Sequence, residues 1–156
     1  MTTNRYHARQ LSLPVGDDIS VSALLQVPRD EAALLVLAHG AGAGMTHPFM
    51  TAMADGLAER AIATLRYQFP YMERGSKRPD PPQLAQATVR AAVTAAAQAQ
   101  PKLPLFAGGK SFGGRMTSQT QAASLFRRSN SPRRTASGSA SSRQAKPPAG
   151  ENITPP

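Results

Sequence analysis

The spacing of apolar residues changes several times before residue 123, and each change marks an element. Leu11 and Leu13 alternate with polar neighbours over Gln10–Val15, and Ile19, Val21 and Ala23 do so over Ile19–Val27. A period of two fits strands with one buried face, and Gly16-Asp17-Asp18 between them fits a turn, so the pair reads as a hairpin. Ala33-Leu34-Leu35-Val36-Leu37-Ala38 is apolar without interruption, as suits a strand covered on both faces. Pro48 stands where a first helical residue is favoured. Met50, Met53, Leu57 and Ala61 then recur at spacings of three and four, which predicts a helix with one apolar face. Ile62–Tyr67 reads as the next strand, Pro81-Pro82 opens an alanine-rich helix to about Ala99, Leu103–Ala107 reads as a fourth core strand, and a helix begins at Phe112. Strands alternating with helices pair in parallel through crossovers, which implies a layered α/β fold with the leading hairpin as an antiparallel edge.

Composition narrows the class. The chain has 156 residues, enough for one domain with a sizeable core and too few for two, and no internal repeat is present. Aromatic residues make up 5% and there is no Trp, so Leu, Val, Ala and Met must build the core. Without Cys there is no disulfide, thiolate metal site or cysteine nucleophile. His7, His39 and His47 are too scattered for a ligand cluster, so neither metal nor cofactor is expected. Met1–His7 lacks the apolar stretch of a signal peptide. The longest apolar run, Ala32–Ala38, is far short of the roughly 20 residues of a membrane-spanning helix. A soluble cytoplasmic protein with no membrane partner is the default expectation.

The net charge of +9 raises the question of nucleic acid. Met1–Ala123 holds 12 basic and 8 acidic residues, a net of +4, whereas the last 33 residues hold 6 and 1, a net of +5. The excess therefore concentrates in the tail 124–156, rich in Arg, Ser, Pro, Ala and Gly, where Leu125, Phe126 and Ile153 are the only large apolar residues. Such a segment buries too little to offset its ordering entropy and is expected to be disordered. Arg127-Arg128 and Arg133-Arg134 could meet phosphates, but no aromatic platform accompanies them, so no specific nucleic-acid partner is expected.

Candidate chemistry lies in two glycine-rich turns. Gly109-Lys110-Ser111-Phe112-Gly113 follows a strand and opens a helix, the setting of a nucleophile elbow with Ser111 as nucleophile. Small residues at both glycine positions relieve a crowded turn. The turn would lift the hydroxyl clear of the sheet, at a helix N-terminus whose N–H groups face developing negative charge. Gly109-Lys110-Ser111 also matches the end of a phosphate-binding loop, but that motif requires Gly where Pro104 stands. His39-Gly40-Ala41-Gly42-Ala43-Gly44 directly follows the third strand, where an oxyanion donor belongs; the Ala41 and Phe112 N–H groups are the candidate pair. His39 is read as holding its loop through a backbone hydrogen bond rather than as a base, and His47 as a helix N-terminal residue.

Three blocks in order carry a resemblance. Leu37–Gly44 with His47-Pro48-Phe49-Met50, Arg66–Glu73 with Lys77-Arg78-Pro79-Asp80, and Gly109–Met116 resemble an α/β-hydrolase-like family related to dienelactone hydrolases. Its eukaryotic members include a testis-expressed protein and a chromatin acetyltransferase-complex subunit. The resemblance covers about Arg9–Ala123. It implies a three-layer sandwich with a mostly parallel sheet, Ser111 as nucleophile, an oxyanion hole from Ala41 and Phe112, a rim lined or supported by Arg66–Glu73, and His39, Gly40, Gly42, Arg66 and Tyr67 as binding residues. The implied substrate is a small ester-like or other acyl compound.

That fold supplies its remaining catalytic groups in the order Asp or Glu, then His, after the serine. After Ser111 the sequence holds no Asp and no His, and its one acid is Glu151. The expectation is a partial hydrolase domain over 1–123 without its C-terminal strands, with residues after about Ala123 the product of truncation or a frame change. Two functions follow as alternatives: a serine hydrolase scaffold inactive in this form, or a non-catalytic protein-interaction module on the same scaffold.

Overall fold

The structure, a computed structural model, describes residues 6–129. Its elements are β1 (Ala8–Pro14), β2 (Ser20–Gln26), β3 (Ala33–Ala38), α1 (Pro48–Ala58), β4 (Ile62–Tyr67), α2 (Pro70–Glu73), α3 (Pro82–Ala99), β5 (Leu105–Gly109) and α4 (Phe112–Ser129). The strands form one mixed sheet in the order β1-β2-β4-β3-β5. β1 pairs antiparallel with β2, and β2 with β4, while β3 runs parallel to both β4 and β5. The expected α/β architecture with a leading antiparallel hairpin is therefore present.

The central strands divide their side chains between two faces. Leu34, Val36 and Ala38 of β3 and Ala63, Leu65 and Tyr67 of β4 join the main core, which takes in Ala85, Val89, Ala92 and Ala96 of α3 and Phe112 and Met116 of α4. The other face is polar at β4. Arg66 there donates to Thr51 Oγ1 of α1 (3.1 Å), and Gln26 of β2 donates to Asp55 Oδ1 of α1 (2.9 Å). This polar layer decides how α1 lies. Its buried residues are Met50, Ala54 and Ala58, a stripe of i, i+4 and i+8. The stripe expected from Met50, Met53, Leu57 and Ala61 is corrected: Met53 is 39% exposed, Leu57 is half-buried, and Ala61 lies past the helix at φ 59°. Thr51 must face Arg66 on β4 and Asp55 must face Gln26 on β2, and the small Ala54 and Ala58 let the helix approach the sheet.

β5 begins two residues later than its apolar run and continues through two glycines. Leu103 N–H is taken by the Gln100 carbonyl in a turn, and Leu34 N–H by the Pro104 carbonyl (2.9 Å). Register with β3 then holds from Leu34↔Leu105 to Ala38↔Gly109. The four-residue α2 is too short to show a helical period in the sequence. Helix α4 runs to Ser129, beyond the change in composition at Ala123. The remaining tail lies outside the described residues. Among the described residues no helix is long and apolar enough to cross a membrane.

Among the described residues β5 is an outer strand of the sheet, it carries no charged residue, and Phe106 on it is 59% exposed. An unprotected apolar edge is a template for pairing between chains. Replacing Phe106 with Lys should lower concentration-dependent light scattering while leaving the melting temperature nearly unchanged. Unchanged scattering would show that association, if any, runs through another surface.

Candidate active site

The site is built where β3 and β5 end side by side. The ladder continues one residue beyond β5, with Lys110 N–H donating to the Ala38 carbonyl (3.0 Å). The chain then turns at Ser111, whose φ of 50° is a left-handed value that few non-glycine residues adopt. Phe112 starts α4 immediately. Ser111 is exposed, so its hydroxyl stands beside the N-terminal turn of α4, whose first N–H groups have no partner within the helix.

Two glycines make this corner possible. A Cβ on Gly109 would lie 2.7 Å from both the Cβ and the carbonyl oxygen of Ala38, and one on Gly113 would lie 2.7 Å from the Ala38 Cβ and closer still to the His39 carbonyl oxygen. The corner therefore packs on β3 at backbone distance. Gly40 completes the contact from the other side, since a Cβ there would stand 3.4 Å from the Lys110 carbonyl oxygen and 3.7 Å from Ser111 Cβ. Ala41 and Gly42 form the following exposed turn, with Gly42 at φ 79°.

The loop from His39 to Met45 is held from behind by the segment joining β4 to α2. His39 is wholly buried. Phe69 N–H donates to its Nε2 (3.0 Å), and its Nδ1 lies 2.8 Å from the Gly40 carbonyl oxygen. The Phe69 N–H can only donate and the Gly40 carbonyl can only accept, so the ring is neutral with its proton on Nδ1. Both nitrogens are thus committed to backbone, and neither is left to act as a base. Burial also lowers the His39 pKa from its ordinary value of 6.5, opposed by the Gly40 hydrogen bond and the charge of Asp80. Gln68 reaches the far end of the loop, where its Oε1 accepts from Met45 N–H (2.9 Å) and its amide lies against Gly44. His47 caps α1 through its side chain, accepting from Phe49 N–H (3.2 Å).

Arg66 and Tyr67 lie beneath this surface rather than on it. Arg66 is 3% exposed and donates to the Met45 carbonyl (3.3 Å), Thr51 Oγ1 and Gln26 Oε1 (3.4 Å), so it ties the loop end to β2 and α1. Burial depresses its pKa, and Asp55 opposes that. Tyr67 belongs to the main core with its hydroxyl beside Thr117, and burial raises its pKa. Lys110 sets its ammonium 4.4 Å from the centre of the Phe49 ring, over the start of α1. Among the described residues no group of His, Cys, Asp or Glu is arranged to hold a metal ion.

Two residues of the second sequence block, Tyr71 and Asp80, complete the site. Tyr71 is wholly buried, with its ring edge-on to Phe112 (6.1 Å) and tilted against His39 (6.0 Å). Asp80 fixes the turn that carries it, accepting from Tyr71 N–H (3.0 Å) and pairing with Arg74 (2.8 Å). Asp80 lies in the second sequence block, but nothing in that block's spacing shows which backbone group it would meet.

A family model described as an alpha/beta hydrolase domain matches residues 31–136, and the chain belongs to that family. Solved structures share its fold. A dienelactone hydrolase from Anabaena variabilis superposes with a TM-score of 0.63 at 22% identity, covering 78% of this chain and 60% of that one. Est1E from Butyrivibrio proteoclasticus gives 0.60 at 20%, covering 74% and 46%. XC6422 from Xanthomonas campestris, a serine hydrolase without a lid, gives 0.59 at 22%, covering 75% and 56%. The chain thus spans three-fifths or less of these relatives. No curated protein sequence matches it.

Two outcomes test this geometry. Gly113→Ala should lower stability by more than the ~1 kcal/mol typical of a point substitution, because the new Cβ meets backbone that cannot turn aside; chemical denaturation measures it. His39 bears on acid stability. Its folded pKa lies below 6.5, so its contribution is full above pH 6.5 and is lost as pH falls from there toward the folded value. The denaturant midpoint should therefore drop between pH 7 and pH 5 more steeply in the parent chain than in His39→Gln, and parallel curves would show that His39 is not responsible.

Proposed function

We propose that the chain carries the nucleophile and oxyanion-binding half of a serine hydrolase acting on small ester-like or other acyl substrates. The observation that carries this reading is Ser111 itself, an exposed non-glycine residue at φ 50° between a parallel strand and a helix, packed against Gly40. That backbone value is costly for a serine, and functional corners are where such strain is retained. Family membership and the esterase-like neighbours support the acyl class.

In the proposed reaction Ser111 Oγ attacks the acyl carbonyl carbon. A C–O bond forms, and the carbonyl π electrons move to oxygen, which the Ala41 and Phe112 N–H groups receive. The Ser111 proton passes to a general base. The oxyanion then collapses, the bond to the leaving oxygen breaks as that oxygen takes the proton from the base, and water, deprotonated by the same base, later hydrolyses the acyl-enzyme to the free acid while the proton returns to Ser111 Oγ. His39, Gly40 and Gly42 shape the receiving loop, with Arg66 and Tyr67 as its support. The base is the weak point, since no Asp or His follows Ser111 and both His39 ring nitrogens are engaged. A serine hydroxyl without a base is a poor nucleophile at neutral pH, although oxyanion binding alone retains roughly 10³-fold catalysis over water.

A fluorophosphonate probe on the purified chain tests this. Slow labelling at Ser111 that disappears in Ser111→Ala, with ester turnover near background, is expected. Labelling that survives Ser111→Ala would remove Ser111 as the nucleophile, and rapid turnover would show that a base is present after all.

A further inference from the structure

Lys110 stands in the elbow itself, yet the reaction above gives its side chain no role. Gly40 places that side chain beside the nucleophile. A Cβ on Gly40 would stand 3.7 Å from Ser111 Cβ and 3.8 Å from Lys110 Cγ, so both side chains leave the corner past the same bare backbone. The Lys110 stem then runs toward α1, where its ammonium rests 4.4 Å from the centre of the Phe49 ring. That ring is held in place from its own backbone. Phe49 lies in the first turn of α1, its N–H bonded to His47 Nδ1 (3.2 Å), and the N–H groups of Met50 and Thr51 both go to the His47 carbonyl (2.8 and 3.1 Å). Lys110, Ser111 and Phe49 are all exposed. Among the described residues no carboxylate pairs with Lys110. The acids of the neighbouring elements are engaged elsewhere: Asp55 with Gln26, Asp80 with Arg74 and Tyr71 N–H, and Glu73 with Ser22 N–H. A ring face neutralises no charge and meets one side of an ammonium that has three N–H donors. Lys110 therefore keeps free donors and an uncompensated positive charge next to Ser111.

We propose that Lys110 is a specificity-determining residue of this site, selecting acyl groups that carry a free carboxylate, with Phe49 as the platform that holds the ammonium in place. The substrate class is then the half-ester of a short dicarboxylic acid, such as a succinyl or glutaryl ester. Its ester carbonyl meets Ser111, and its free carboxylate accepts from the Lys110 ammonium. The ring of Phe49 limits where that ammonium can sit, so a flexible stem reads the anion at a defined distance from the nucleophile. A neutral acyl chain leaves the ammonium hydrated and gains nothing from it. The inference rests on the hydrolase reading for the bond that is broken, whereas anion binding is a property of Lys110 and Phe49 alone.

A pair of fluorophosphonates of equal length, one ending in a carboxylate and the other in a carboxamide, tests this on the full chain, with the adduct at Ser111 followed by mass spectrometry. The ratio of the two rates within each variant cancels any loss of folded protein. In the parent chain the carboxylate probe should react about two- to fivefold faster at low ionic strength, the size of an exposed ion pair, and the advantage should fade in high salt. It should vanish in Lys110→Met, which keeps the stem and removes the charge, and persist in Lys110→Arg. Phe49→Leu should reduce it partway. Binding alone gives a second readout: glutarate should shift the Phe112 and Gly113 amide signals in NMR spectra of the parent chain and of Ser111→Ala, and should not do so in Lys110→Met. Equal rates for the two probes in the parent chain, or glutarate shifts that survive in Lys110→Met, would overturn the proposal and leave the hydrolase reading standing. Lys110-dependent glutarate shifts in a chain that neither probe labels would uphold the anion site and sink the hydrolase reading instead.

Discussion

Ala38 sits against two glycines at once, and a methyl group added to either Gly109 or Gly113 would lie inside its contact distance. The end of β3 is thereby locked to the corner between β5 and α4 at backbone separation. The candidate site is arranged on that lock. It places Gly40 within reach of Ser111 Cβ, and with it the loop that follows. It also forces the turn at Ser111 into a left-handed backbone, since the chain must leave the sheet and enter a helix within three residues of Gly109.

The second layer of order comes from the β4–α2 segment. His39 bridges Gly40 and Phe69 with one neutral ring, Gln68 holds Met45, and Arg66 holds the Met45 carbonyl from below. These contacts explain why the first and second sequence blocks occur in one chain. One is a glycine-rich loop, and the other holds it through side-chain hydrogen bonds. The proposed oxyanion site would owe its orientation to this frame, because glycine-rich backbone has no preference of its own for one direction.

Most of the architecture was legible because its signals are local. The uninterrupted run of β3, the alternation in the hairpin and the strand–Gly-x-Ser-x-Gly–helix sequence each need only a few neighbouring residues to be read. The misreadings came from partners distant in the chain. The buried stripe of α1 could not be placed from its own apolar residues, because it answers to Arg66 and Gln26 on the sheet. Strand parity sends Tyr67 to the core beside Ala63 and Leu65, and Arg66 to the opposite face, which their shared motif does not reveal. Tyr71 and Asp80 both stand in the second block, but the contacts of Asp80 with Tyr71 N–H and Arg74 exist only once α2 has folded.

The register of β5 has a kinetic side. Leu34 pairs with Leu105 in the same sheet where it already neighbours Ala63, so β5 joins a strand from which more than half of the described chain separates it. Closing so long a loop carries the largest chain-entropy cost of any pairing in this sheet, and long-range parallel pairing is intrinsically slow. The hairpin and the β3–β4 unit can form without it. The corner at Ser111 cannot, because it is made of β5 docking on Ala38. The turn at Ser111 therefore depends on the pairing that closes the longest loop in the sheet.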